Sequence, residues 1–166
     1  MTPFVVQVIV AFIALGSLAL GVYNFIHAKG EPVRAKQRVL REEVRTCVDA
    51  LLPVVKDAQQ RIRVGTDFGD TVPPVVLDCR DRIAGLEPRL THDRLKMQAG
   101  GVGHQAVLIH LAWEAVAENR YSLGSPEAQR KRTASELDLR DQLEKVRPLI
   151  DKLVATLDQF DRGELT

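Results

Sequence analysis

The first 26 residues contain no Asp, Glu, Lys or Arg, so all 23 basic and all 22 acidic residues of the chain lie beyond them. The chain is also poor in aromatics, at 5%. That excludes a stacking platform for bases. Its net charge of +1 offers no overall attraction to a nucleic-acid backbone. Two cysteines, Cys47 and Cys79, are too few for a disulfide framework. Each falls within an apolar helical pattern and reads as a small buried hydrophobe in a reducing compartment. A Cys47–Cys79 bridge would require the domain to lie outside the cytoplasm.

Motifs of chemistry are absent as well. The sequence contains no HExxH, CxxC, GxSxG or GxGxxG. His104 and His110 are six residues apart, which does not put them on one helical face. His27 and His92 have no Cys or acidic neighbour at ligand spacing, so no metal site and no cofactor are expected. The glycines at 100, 101 and 103 precede His104, but no strand leads into them and no Lys-Ser/Thr follows. They read as a joint between two helical segments. Ser122, Ser125 and Ser135 read as turn, cap and surface residues.

What is present begins with Phe4 to Ile26, an apolar run interrupted by little besides Gln7 and Asn24 near its ends. As a helix it is roughly 34 Å long, enough for a hydrocarbon core of about 30 Å. A cleaved signal peptide would need a basic leader, a shorter run and a small-x-small site, none of which is found. Lys29, Arg34, Lys36, Arg38, Arg41 and Arg45 follow the run and no Lys or Arg precedes it. The positive-inside rule therefore puts residues 1–3 outside and the C-terminal side in the cytoplasm, at the plasma (inner) membrane. Lys29 and Arg34 are expected to meet inner-leaflet headgroups. Within the run, Gln7, Val10, Ala14, Ser17, Gly21 and Asn24 recur at spacings of three and four. This small or polar stripe suits contact with another membrane helix.

Residues 27–32 form a juxtamembrane linker around Gly30 and Pro32, and 33–162 carry helical periodicity before a short tail at 163–166. Val33, Gln37, Leu40, Val44, Val48, Leu51, Val55, Ala58 and Ile62 mark one face of a first helix. Residues 65–74 are loop by composition. A short helix is expected over about 75–85 and a turn around Pro88. A third stretch has Val102, Ala106, Ile109, Trp113 and Val116 inward. Ser125-Pro126-Glu127 is a helix start with cap, proline and acid in order. Behind it, Leu139, Leu143, Val146, Ile150, Leu153, Leu157 and Phe160 step by four and three, a seam able to receive a partner helix. Pro53 and Pro148 fall at equal phase within the first and last patterns, which predicts that these two helices are neighbours.

The fold expected is all-α: one N-terminal transmembrane helix, then an antiparallel bundle of about four helices with coiled-coil-like seams. The function expected is that of a single-pass, membrane-anchored interaction or scaffold protein rather than an enzyme. Its partners would be the bilayer and a second copy or another membrane protein, with no nucleic acid and no small-molecule substrate. Two other readings are a small oligomeric pore or transporter subunit, with Gln7, Ser17 and Asn24 on a lumen, and a membrane-bound enzyme with a site near Gly100–Trp113.

Overall fold

The computed structural model describes the backbone of residues 3–64, 71–120 and 125–165, and their side chains apart from 3–16, 19 and 24–30. Among the described residues, four α-helices follow in chain order: α1 (Pro3–Val64), α2 (Pro74–Leu86), α3 (Asp93–Arg120) and α4 (Pro126–Asp161). A 3-10 turn, Glu87–Arg89, joins α2 to α3. No strand occurs among the described residues. The chain divides into two units, Met1–Val39 and Leu40–Thr166.

The first unit is helical from Pro3 onward. Gly30 and Pro32, read from sequence as a break, are helical here. A proline removes one backbone donor, and a helix that is otherwise intact can carry that loss. Residues 31–36, 38 and 39 are exposed, among them Val33 at 56% and Val39 at 58%. Val33 therefore does not join the core, whose first member is Leu40. Among the described residues, no helix is long and apolar enough to cross a membrane. The span expected at 4–26 lies largely outside the residues whose side chains are described.

The second unit is the bundle. Arg45 on α1 reaches Asp158 on α4 at 2.8 Å, and Gln59 on α1 donates to the Leu143 carbonyl at 2.8 Å. Moving up α1 thus means moving down α4, so the two are antiparallel neighbours, and Pro53 stands level with Pro148. The same logic applies to α3 and α4, where Gln105 meets Gln142 and Asn119 meets Ser135. On the remaining side, Gly103 and Gly100 of α3 face Ile83 and Glu87. The bundle core is apolar on every helix: Val44, Val48, Leu51 and Val55 from α1, Val76 and Ile83 from α2, Val102, Ala106 and Ile109 from α3, and the whole Leu139–Phe160 series from α4. Each fully buried aliphatic side chain contributes about 1.5–3 kcal/mol.

Local sequence explains the ends. Ser125 caps α4, its hydroxyl accepting from the Ala128 N–H at 3.1 Å, with Pro126 in the first turn. Glu127 places a negative charge at the dipole's positive end. The α2 start likewise has a proline in its first turn. By contrast α3 runs unbroken through Gly100, Gly101 and Gly103. Each glycine costs a helix about 1 kcal/mol, and at Gly100 and Gly103 close packing against Glu87 and Ile83 offsets it. Among the described residues, most ion pairs are four-residue contacts along one helix such as Arg140–Glu144 and Arg132–Glu136, which hold little energy. Arg45 is different. It bridges Asp158 and Asp161, both at 2.8 Å. One turn away, Arg41 lies 4.6 Å over the Phe160 ring, which forms a T-shaped pair with His92, ring centroids 4.9 Å apart.

Candidate functional site

The α2–α3 interface holds an open cleft of about 200 Å³, lined by Arg80, Ile83, Ala84, Glu87, Gly100 and His104 among others. Two glycines shape it for different reasons. A Cβ on Gly103 would stand 2.8 Å from Ile83 Cγ2, so this glycine lets the two backbones close up. A Cβ on Gly100 would meet the Glu87 carboxylate at 3.0–3.1 Å, so Glu87 lies across the bare helix surface. Arg80 is held at 2.7 Å by Asp81, and that hydrogen bond keeps the Asp81 carboxyl below its usual range. The cleft thus brings together a guanidinium, a carboxylate and an imidazole. It can accommodate a small polar group, but among the described residues no Ser, Thr, Cys or Tyr lines it to act as nucleophile. Trp113 is 5% exposed, inside the core and away from this lining. His110 sits six residues past His104 on α3, 3.4 Å from Glu114.

A second, smaller hollow of about 40 Å³ lies between α1 and α4, bordered by Gln59, Ile62, Arg63, Arg140 and Glu144. Near it, α4 is gripped from two sides. Gln59 of α1 donates to the Leu143 carbonyl, while Gln105 of α3 donates to the Gln142 carbonyl at 3.1 Å and to its side-chain oxygen at 2.7 Å. Gln105 is only 6% exposed.

Cys47 and Cys79 are both buried and free. Burial pushes the Cys47 thiol up and the Cys79 thiol up to about 12. Both are therefore protonated and poorly nucleophilic at neutral pH. Among the described residues, no group of three or more His, Cys, Asp or Glu could hold a metal ion.

The residues singled out by sequence are distributed as follows. Of the membrane-helix stripe, Gln7, Val10, Ala14 and Asn24 lie outside the described side chains, while Ser17 and Gly21 are exposed. Of the inner-leaflet pair, Lys29 lies outside them and Arg34 is exposed. The seam is in the core: Leu139, Val146, Ile150 and Leu153 are 0% exposed, Leu143 and Leu157 are 1%, and Phe160 is 9%. Helices α1 and α3 already occupy the positions a partner helix would take, so in this conformation the seam offers an outside helix no surface.

The outward face of α3 is a feature that periodicity read along the inner face alone does not disclose. Met97 is 73% and Leu111 54% exposed on that face. Reading the glycines as a joint divides this helix in two and conceals the face. No family model matches the chain, and no curated protein or solved structure matches it either.

Proposed function

We propose that the chain is a single-pass, membrane-anchored helical module that presents its bundle at the cytoplasmic face and acts by binding other protein helices. The observation that carries the anchor is the uncharged run of residues 4–26 together with the surroundings of its described part. Leu18, Leu20, Val22 and Tyr23 are 52–68% exposed, and nothing lies within 4 Å of a Cβ built on Gly21. These residues point to several sides of one helix. Apolar side chains on all sides, left uncovered by their own chain, are suited to lipid.

Orientation rests on the basic segment that follows. Arg34, Lys36 and Arg38 are exposed, with Glu31 the one acidic residue between Ile26 and Arg41. Arg34 is eight residues past Ile26, or about 12 Å along a helix, and helical side chains lean toward the N-terminus. Its guanidinium can thus reach back to phosphate headgroups, as Lys29 can. In the membrane, the Gln7–Asn24 stripe is the surface for a second helix.

The test uses the full chain in intact cells. Cysteine is introduced as Thr2→Cys in one variant and Glu164→Cys in another, and both are treated with a membrane-impermeant thiol reagent. Labelling at position 2 but not at 164, with the protein retained after alkaline carbonate washing and released by detergent, is the expected result. Release by carbonate, or labelling at 164, would refute the reading.

A further inference from the structure

We infer that α3 pairs with α3 of a second copy of this chain, head to foot, through its outward face. The inference stands on the bundle alone and does not depend on where residues 1–39 reside. Along that face run Arg94, Met97, Gly101, His104, Leu108, Leu111, Ala115 and Glu118, separated alternately by three and four residues. This is the spacing of a helix–helix seam. Arg94, Met97, His104, Leu111 and Glu118 are exposed, and Gly101, Leu108 and Ala115 are half-buried. The core-facing residues of α3, such as Leu95, Val102 and Ile109, lie on the other side. Met97 at 73% and Leu111 at 54% are large apolar side chains left exposed on this face, with a charge at either end, a composition suited to a contact surface.

The order of residues says which partner fits. In an antiparallel pair centred between His104 and Leu108, the layers are Arg94 with Glu118, Met97 with Ala115, Gly101 with Leu111 and His104 with Leu108. Each layer recurs on the other side of the two-fold axis. Opposite charges meet at both ends, and in the layers next to them a large side chain faces a small one. Neither Arg94 nor Glu118 has an ion partner among the described residues. A parallel pair would instead set Arg94 against Arg94, Glu118 against Glu118 and Gly101 against Gly101, with repulsion at both ends and a gap at the glycine layer. The face is therefore self-complementary in one direction only, which is what an isologous two-fold contact requires. A single helix pair lies at the low end of stable interfaces, roughly 1,000 Å² in total. The contact is accordingly reversible rather than obligate.

The experiment uses the full chain in detergent micelles. Mixing a Gly101→Cys variant with a Leu111→Cys variant under mild oxidation should give a cross-linked dimer, while either variant alone gives none. Cross-linking of Gly101→Cys with itself would establish a parallel contact and overturn the inference. In a second arm, Arg94→Glu and Glu118→Arg should each weaken dimerisation about tenfold, and the double reversal should restore it. Failure of the double variant to recover would also overturn it, provided circular dichroism shows unchanged helicity. A dimer lost in Ser17→Leu/Gly21→Leu but unaffected by Arg94→Glu would assign association to the leading helix and dismiss the α3 pairing.

Discussion

At the scale of single residues, the clearest departure from ordinary chemistry is the Cys79 thiol. It is 1% exposed on α2, and burial raises its pKa from 9.0 to about 12. A group whose folded pKa lies above its unfolded one keeps its full stabilising effect below the unfolded value. Here that effect is complete below pH 9 and disappears as pH rises toward 12, because the unfolded chain loses the proton first. Urea unfolding between about pH 8 and 11 should therefore show a decline of at most about 1.4 kcal/mol per pH unit from this group above its unfolded pKa. Cys79→Ala should lack that part of the decline. An identical alkaline limb in the variant would show that other groups cause it. The burial of Cys47 and Cys79 was legible from their place in apolar periodicity. Their closeness across α1 and α2, near enough for charge on Cys47 to push the Cys79 thiol further up, was not, because pairing between helices carries no local signal.

Between elements, the α2–α3 contact turns on a missing methyl group. Gly103→Ala would put a Cβ 2.8 Å from the Cγ2 of Ile83, a stiff β-branched residue that is 1% exposed. Thermal or urea unfolding should show a loss of about 1–3 kcal/mol from overpacking. Gly85→Ala on α2 meets nothing within 4 Å, and it should stabilise by about 0.5–1 kcal/mol through helix propensity. Equal effects at both positions would argue that Gly103 serves the backbone rather than the packing. Sequence assigns glycines a cost within a helix but cannot show the neighbour that requires them. This is why residues 100–103 read as a joint while the structure has an unbroken helix. The start of α4 was fully legible, since Ser125, Pro126 and Glu127 act through their own backbone. Gly30 and Pro32 misled for a different reason: a single local breaker does not end a helix that continues on both sides of it.

At the scale of the whole molecule, the all-helical bundle was readable from periodicity, and the heptad of α4 identified the core. What the heptad could not say is whose helices fill it. Leu139 to Phe160 looked like a surface for a partner and instead packs on α1 and α3, because a seam closed within the chain has the same pattern as one left open. Orientation across a bilayer also belongs to this scale, since it is set by summed charge. In the proposed topology, replacing Arg34, Lys36 and Arg38 with Gln and adding Thr2→Lys removes most of the bias in basic residues. Accessibility labelling of a Glu164→Cys reporter should then change from a protected population to a mixed one. Full protection would mean that something other than flanking charge sets the orientation.

Heptad repeats have an inherent ambiguity: sliding one rod by seven positions restores a nearly equivalent set of apolar neighbours. The amides of Gln59 and Gln105 hold successive carbonyls, at Leu143 and Gln142, from opposite flanks of the same rod. Any slippage of α4 must break both anchorages together and leave the Gln105 amide, only 6% exposed, without its partners. Lengthwise sliding of α4 is therefore the displacement that this pair of anchorages opposes most directly.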